Sequence, residues 1–336
     1  MAFQIKLQPV GESFACEPGE SVLEAGLRAG IALPYSCRDG TCGTCKARVV
    51  EGNVVYTVDE LPGLCPEERA DGWCLMCQAQ AQTDLTLEAS VGAGAAQPIR
   101  VLPARVRGLE RLADDVMRVT LQLPRTEKLG FRAGQYLDIL LGEGRRRSYS
   151  LANPPEGDGD LELHIRHYPG GLFSDQLFNR TREGQVLRLR GPYGSFCLDE
   201  ASGATRIFIA GGTGFAPVKS IIEDAHARGL DAPTHLYWGA RRTQDIYLRD
   251  LAERWARELP GFRFVPVLSE TDAGGAGGAR LGFVHEAVLA DFPDLSTCDV
   301  YASGPPPMVN AIRTQFPCNG ARAERIFADS FEFARR

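Results

Sequence analysis

Apolar and polar positions alternate over residues 3–7 and again over 116–123, the period of a half-buried strand. Val22, Leu23 and Leu27 instead recur at helical spacing, behind a Ser21-x-x-Glu24 pair set as a capping box, and Gly30 ends that helix. Residues 47–50 and 85–87 read as further extended segments, so the opening of the chain predicts a small β-rich unit with one main helix. From about residue 100 to 198 the pattern becomes short strands separated by turn signals, at 116–123, 136–141, 161–166 and 186–189, which predicts a barrel. Beyond Arg206 the period changes again. A continuous apolar run, Ile207-Phe208-Ile209-Ala210, is followed by helices predicted over 217–228, 248–258, 284–289 and 308–315. These alternate with strands over 235–238, 262–268 and 300–302, as in a parallel sheet covered on both faces.

Composition sharpens the boundaries. Residues 93–98 are poor in large side chains and read as a linker, giving units at 1–92, 100–200 and 201–336 joined by 93–99. Length agrees, since 336 residues suit two or three domains. A glycine-rich run at 273–278 predicts a surface loop. The net charge of −6 opposes a nucleic-acid partner held through phosphates. No apolar run reaches membrane-spanning length, and residues 1–6 do not read as a signal peptide, so neither membrane nor export is expected and the cytoplasm is the expected compartment. Ten cysteines in a reducing compartment point to metal chemistry before disulfides.

Three of those thiols stand as C-x4-C-x2-C at Cys37, Cys42 and Cys45, with Cys74 and Cys77 further on as candidates for a fourth. That is the plant-type spacing of a 2Fe–2S cluster, and Gly40 and Gly43 let the loop turn tightly enough for its amides to face the sulfurs. Zinc is the competing reading, because Cys42-x2-Cys45 and Cys74-x2-Cys77 also have knuckle spacing. Cys16, Cys65, Cys197, Cys298 and Cys318 are expected at packing positions.

The later units carry their own chemistry. Arg147-Ser148-Tyr149-Ser150 is followed by His164-Ile165-Arg166 and by Gly170-Gly171-Leu172-Phe173-Ser174, a turn opening a helix where amides can meet phosphate. After the buried strand come Gly211-Gly212-Thr213-Gly214 and Pro217; this is not G-x-G-x-x-G, yet the same mechanics suit a dinucleotide pyrophosphate. No Ser–His–Asp set or oxygen-activating metal triad is evident, and five histidines make an oxygenase a poor reading.

Taken in order, these motifs resemble the ferredoxin–NADP reductase superfamily fused to a plant-type ferredoxin, as in reductase components of bacterial multicomponent ring-hydroxylating oxygenases. The terephthalate type, with the benzoate type beside it, is the nearest in Ser148-Tyr149-Ser150-Leu151-Ala152-Asn153-Pro154-Pro155 and residues 211–217. The resemblance implies a β-grasp 2Fe–2S domain, an antiparallel β-barrel flavin domain and a parallel-sheet α/β nucleotide domain. It implies cluster ligands Cys37, Cys42, Cys45 and Cys77, the last because Leu75-Met76-Cys77-Gln78 matches the fourth-ligand stretch.

For FAD it implies Arg147 at the pyrophosphate, Tyr149 flanking the isoalloxazine and Ser150 near flavin N5, with Ser148 also cofactor-binding. His164, Ile165, Arg166, Gly170, Gly171, Phe173 and Ser174 complete that site. Gly212, Thr213, Gly214 and Pro217 would meet the nicotinamide cofactor, Gly239, Ala240 and Arg241 its adenosine ribose, and Ser303, Gly304 and Pro305 the nicotinamide, with Ser303 where the superfamily usually has cysteine. Asp329 and Phe331 match a terminal acid-x-aromatic element, Phe333 being the competing aromatic; Ser150, Ser303, Asp329 and Phe331 are the implied catalytic group.

The implied function is electron transfer from NAD(P)H through FAD and the 2Fe–2S cluster to a terminal oxygenase component. A deoxysugar dehydrase as acceptor, or a redox sensor that does not turn over, are the alternatives. Arg241 and Arg242 suit NADPH, while nearby Asp245 and the family's habit suit NADH; the Gly170-Gly171 turn favours FAD over FMN.

Overall fold

The computed structural model describes residues 2–92, 96–156, 159–270 and 278–332. Residues 93–95 of the predicted linker, most of the glycine-rich loop, and Phe333 lie outside these residues. The chain divides into two compact units, one centred on the residues up to Pro98 and the other on Ile99–Pro192 with Phe196–Phe331.

The first unit is a mixed sheet gripping a helix. Its elements are β1 (Phe3–Gln8), β2 (Ser13–Cys16), α1 (Val22–Arg28), β3 (Lys46–Glu51), β4 (Val54–Val55), α2 (Pro66–Ala70), β5 (Trp73–Leu75), β6 (Gln80–Ala81) and β7 (Leu85–Glu88). The main sheet runs β2-β1-β7-β3-β5, with β1 and β7 parallel, which is the β-grasp arrangement. Ser21 caps α1 as predicted: its hydroxyl accepts from the Glu24 amide at 3.2 Å, and the Glu24 carboxylate reaches back to the Ser21 amide. The cluster loop occupies the space between α1 and β3.

The second unit holds two sheets. The first is wholly antiparallel: β8 (Arg100–Ala113), β9 (Val116–Gln122), β10 (Tyr136–Leu140), β11 (Arg146–Ser150), β12 (Asp160–Arg166) and β13 (Val186–Tyr193), in the order β11-β10-β13-β8-β9-β12. A bridge between Leu151 and Leu163 links the two edge strands, closing the barrel around Val119, Leu137, Ile139, Leu163 and Ile165. The short helix α3 (Ser174–Asn179) lies between β12 and β13.

The second sheet is parallel, in the order β17-β16-β15-β14-β18-β19. Its strands are β14 (Thr205–Gly211), β15 (Thr234–Ala240), β16 (Phe262–Leu268), β17 (Arg280–Leu281), β18 (Cys298–Gly304) and β19 (Ile326–Ser330). Helices α4 (Phe215–Ala227), α5 (Arg249–Glu258), α6 (Val284–Asp291) and α7 (Pro306–Gln315) connect them. Separate apolar clusters cover the two faces: Phe208, Trp238 and Phe215 on one, Ile207, Val300 and Phe316 on the other. The sheet order reverses direction between β14 and β18, and a crevice at such a switch point is where open α/β sheets bind ligands.

Most predicted segments recur with ends moved by one or two residues. Missing from the prediction are β2, the long β8, the short β4, β5, β6, β17 and α2, and β11 and β19, which the sequence marks only as motifs. One expectation about cysteines is corrected. Cys16, Cys197 and Cys298 are buried, but Cys65 and Cys318 are exposed, Cys65 because it precedes a surface helix whose first residue is Pro66.

Candidate functional site

In the first unit the loop from Cys37 to Cys45 coils so tightly that Arg38, Gly40 and Gly43 all take positive φ, of 65°, 77° and 71°. The coil turns amides inward. The Asp39 and Cys42 N–H groups both donate to Cys37 Sγ at 3.4 Å, and the Cys37 N–H donates to Cys42 Sγ at 3.5 Å. The Cys42 thiol, with Thr41 and these amides, holds the Cys37 thiol down to about 4. Cys45 faces Cys77, whose thiol and amide both reach it; that neighbour and burial push the Cys45 thiol well up, as Cys37 and burial do for Cys42.

The four thiols therefore fall into two pairs, Cys37 with Cys42 and Cys45 with Cys77. A cluster of two irons takes one thiolate pair on each iron, and two thiol pairs suit that division. The donor set fits 2Fe–2S. Cys74, in β5 beside Ala47 of β3, is fully buried, and burial pushes its thiol up to about 12.

Two supports of the loop were not foreseen. Gln78 Nε2 donates to Arg38 O at 2.9 Å. Gly63 donates its N–H to Gly40 O at 2.9 Å, and a Cβ there would sit 2.8 Å from Gly43 N and 3.0 Å from the carbonyls of Gly40 and Thr41. A lone glycine outside the C-x4-C-x2-C run carries no signal for this contact.

In the second unit, β11 presents Arg147, Tyr149 and Ser150. Tyr149 tilts against Phe173, with ring centroids 5.7 Å apart, and burial pushes its phenol well up. Ser148 Oγ donates to buried Asp138 Oδ1 at 2.7 Å, and Arg147 Nη1 to Arg146 O at 2.7 Å. Several expected flavin contacts are engaged elsewhere. His164 is buried, with Nδ1 3.0 Å from Tyr247 Oη and Nε2 2.8 Å from Glu162 Oε1, so its ring ties elements together. Ile165 and Phe173 belong to the barrel core.

The glycine turn differs from the expected cradle as well. Gly170 N–H donates to Asp175 Oδ2 at 2.8 Å and Gly171 N–H to Tyr168 O at 2.8 Å, so both amides are engaged inside the turn. Ser174 Oγ is likewise shared between the amide and the carbonyl of Tyr168.

At the switch point, loops 211–214 and 303–305 press backbone against backbone. A Cβ on Gly214 would lie 2.0 Å from Ser303 O, so Gly214 is demanded by this approach itself. Gly239, similarly, packs beneath Val284, beside Ala240 and Arg241 at the end of β15. Thr213 lies in the turn before α4, and Pro217 is buried in the helix's first turn. Pro305 precedes α7, and Phe331 N–H donates to Gly304 O at 2.9 Å. Parallel register sets Asp329 opposite Ser303, and Ser150 Oγ donates to Asp329 Oδ2 at 3.3 Å. Three of the four expected catalytic positions thus share one end of the sheet, with Phe331 next along the chain.

Two buried polar atoms here make no hydrogen bond among the described residues: Ser303 Oγ and Arg166 Nη2. Arg166 is anchored through Nη1 to Asp115 Oδ2 at 2.9 Å, and Nη2 would lie 3.5 Å from a Cβ on Gly212. A partly buried guanidinium whose Nη2 is an unused donor beside a glycine of φ 54° fits a phosphate-bearing dinucleotide.

Three regions of the chain match known domain families: a 2Fe-2S iron-sulfur cluster binding domain over residues 5–82, an oxidoreductase FAD-binding domain over 103–197 and an oxidoreductase NAD-binding domain over 208–314. The chain is 38% identical over 332 residues to the CDP-6-deoxy-L-threo-D-glycero-4-hexulose-3-dehydrase reductase of Yersinia pestis, covering 98% of this chain and 99% of that one. It is 36% identical to terephthalate 1,2-dioxygenase reductase component 1 of Comamonas, with 98% of both covered, so identity does not single out the terephthalate type. The crystal structure of an Amycolatopsis cytochrome P450 reductase superposes with a TM-score of 0.81 at 39% identity over 98% of both chains. Among the described residues no helix is long and apolar enough to cross a membrane.

Proposed function

Given that the chain belongs to the family of NAD(P)H-dependent iron–sulfur flavoprotein reductases, with 2Fe–2S-, FAD- and NAD-binding domains in one polypeptide, we propose that it supplies single electrons to a terminal oxygenase acting on aromatic compounds. FAD, when bound, would supply the conversion between a two-electron hydride from NAD(P)H and the single electrons that a 2Fe–2S cluster accepts. The chain's own residues hold and orient. Arg147 and Arg166 supply positive charge for phosphate, and Tyr149 flanks the flavin ring. Ser150 and Asp329 fix a hydrogen-bonded pair at the reacting edge, with Ser303 beside them. Residues 212–214 and Pro217 border the nicotinamide cofactor, and Phe331 covers the flavin face. Cys37, Cys42, Cys45 and Cys77 hold the cluster, and the loop around Arg38, Asp39 and Thr41 meets the partner. We take residues 1–92, 100–200 and 201–336 as the working limits of the three parts, and the cytoplasm as the site of action.

The observation that carries this reading is the coiled loop whose Asp39 and Cys42 amides donate to Cys37 Sγ and whose Cys37 amide donates to Cys42 Sγ, in a chain that also matches FAD- and NAD-binding domains. Arg242 Nε lies 3.1 Å from Glu270 Oε2, which supports NADH over NADPH. A second reading, delivery to an iron–sulfur dehydrase acting on a nucleotide-linked deoxysugar, is favoured by the Yersinia relative. The test is anaerobic reduction by NADH followed by mixing with a purified aromatic-ring oxygenase or a deoxysugar dehydrase. Fast cluster reoxidation by the oxygenase supports the first reading; reoxidation by the dehydrase alone supports the second.

A further inference from the structure

Helix α4 opens directly after the 211–214 loop, and two side chains near its start reach the stretch that follows Ser150. Lys219 Nζ donates to Ala152 O at 3.0 Å and Ser220 Oγ to Asn153 O at 2.6 Å. Both residues are buried, Lys219 at 7% exposure. The ammonium also meets Glu223 Oε2 at 2.9 Å and Glu162 Oε1 at 3.4 Å. Asn153 in turn accepts from Glu162 N at 2.8 Å and donates to Asp160 O at 3.0 Å, so the bound carbonyls belong to a stretch pinned to β12.

A second path runs beside the first. Glu162 meets His164, His164 meets Tyr247, and the Tyr247 ring stands edge-on to Trp238 at 5.1 Å. Trp238 Nε1 then donates to Gly212 O at 3.1 Å, and its ring stacks on Phe215 at 3.8 Å. Both paths join the barrel strands to the same glycine loop. The charged groups facing Lys219 are Glu162 and Glu223, with Arg118 lying 3.7 Å beyond Glu162.

A buried lysine is an expensive way to join two surfaces that apolar side chains could join. Its distinctive property is direction: it fixes one carbonyl at a hydrogen-bond length, where apolar packing would permit sliding. The residues so fixed are the 150–153 stretch and the 211–220 stretch, one on each side of the hydride path. We propose that Lys219, assisted by Ser220, is a positioning residue that sets the register between the flavin-bearing strand and the nicotinamide loop. This rests on the relay above. Lys219 acts through Ala152 and through the helix that carries the loop.

The test uses Lys219→Met, Lys219→Arg and Ser220→Ala in the full chain. In Lys219→Met the limiting rate of flavin reduction by NADH is expected to fall roughly 10- to 100-fold, as sub-ångström to ångström misplacement does, with half-saturation and flavin content unchanged. Lys219→Arg should recover most of the rate. In the cofactor-free protein, hydrogen–deuterium exchange should rise in 150–154 and 212–220 together. A limiting rate within about twofold of the parent, or added exchange confined to α4, overturns the proposal. Should Lys219→Met not fold, Ser220→Ala must still show the paired rise in exchange, and its absence is equally decisive. A parent whose flavin NADH fails to bleach would sink the relay alone, and the paired exchange would then decide the positioning role by itself.

Discussion

Ser150 Oγ donates to the Asp329 carboxylate at 3.3 Å, a contact between residues 179 positions apart. Both are buried, and Asp329 stands in register with Ser303, whose own hydroxyl is buried without a hydrogen bond among the described residues. The barrel's edge strand and the last strand of the parallel sheet thus meet at one polar point. If that point lies beside the reacting flavin edge, Ser150→Ala should retain flavin yet lower its rate of reduction by NADH by about 10²-fold, the scale of a lost positioned proton donor. Asp329→Asn should cost less, because it keeps an acceptor for Ser150. Stopped-flow flavin bleaching measures both, and an unchanged rate in Ser150→Ala would remove the serine from the site.

Cys42→Ser breaks one of the two thiol pairs. Its cluster absorbance should vanish and NADH-dependent cytochrome c reduction should drop to background, while ferricyanide reduction from the flavin persists. Equal loss of both activities with flavin retained would mean that electrons do not pass from flavin to cluster.

Gly63→Ala tests the contact beneath the cluster loop. The added methyl group would lie 2.8 Å from Gly43 N, so the loop must shift or the new side chain must strain. The expected destabilisation is about 1–3 kcal/mol for overpacking, seen as faster iron release to a chelator than from the parent. Iron release at the parent's rate would show that the loop tolerates the methyl group.

Glu270→Gln frees Arg242 from its 3.1 Å ion pair. If Arg242 borders the adenosine ribose, the variant should gain several-fold in kcat/KM for NADPH, whose added phosphate the guanidinium can then pair, with little change for NADH. A gain for neither cofactor would place Arg242 away from the ribose.

Burial holds the His164 pKa below its ordinary value against the opposing pull of Glu162. The unfolded chain binds this proton below about pH 6.5 and the folded chain does not, so stability is full above that pH and is lost as pH falls toward the folded pKa. Burial raises Glu162, but His164, Lys219 and Arg118 together hold it down to about 2, so its contribution is present above the ordinary glutamate range and fades toward pH 2. Urea midpoints of the cofactor-free protein should therefore fall between pH 7.5 and 5.5, and His164→Gln should flatten that slope. An identical slope in the variant would assign the acid sensitivity to other groups.

The limits of sequence reading show at His164, Phe173 and Gly214. Each fits a ligand-binding motif, and each is used by the fold itself: His164 between Glu162 and Tyr247, Phe173 in the barrel core, Gly214 against Ser303 O. A motif records which residue types stand together, and it does not show that Gly214 also admits a neighbouring backbone. Gly63 shows the reverse case, a required residue with no motif around it.

What the sequence determined by itself was local. Alternation and helical spacing marked most strands and helices, and C-x4-C-x2-C placed three thiols on one coil, because the backbone between them is too short to do otherwise. Tertiary structure alone decided that Ser150 meets Asp329 and that Lys219 reaches Ala152. Those contacts depend on strand order and register, which arise from pairing between segments far apart in the chain.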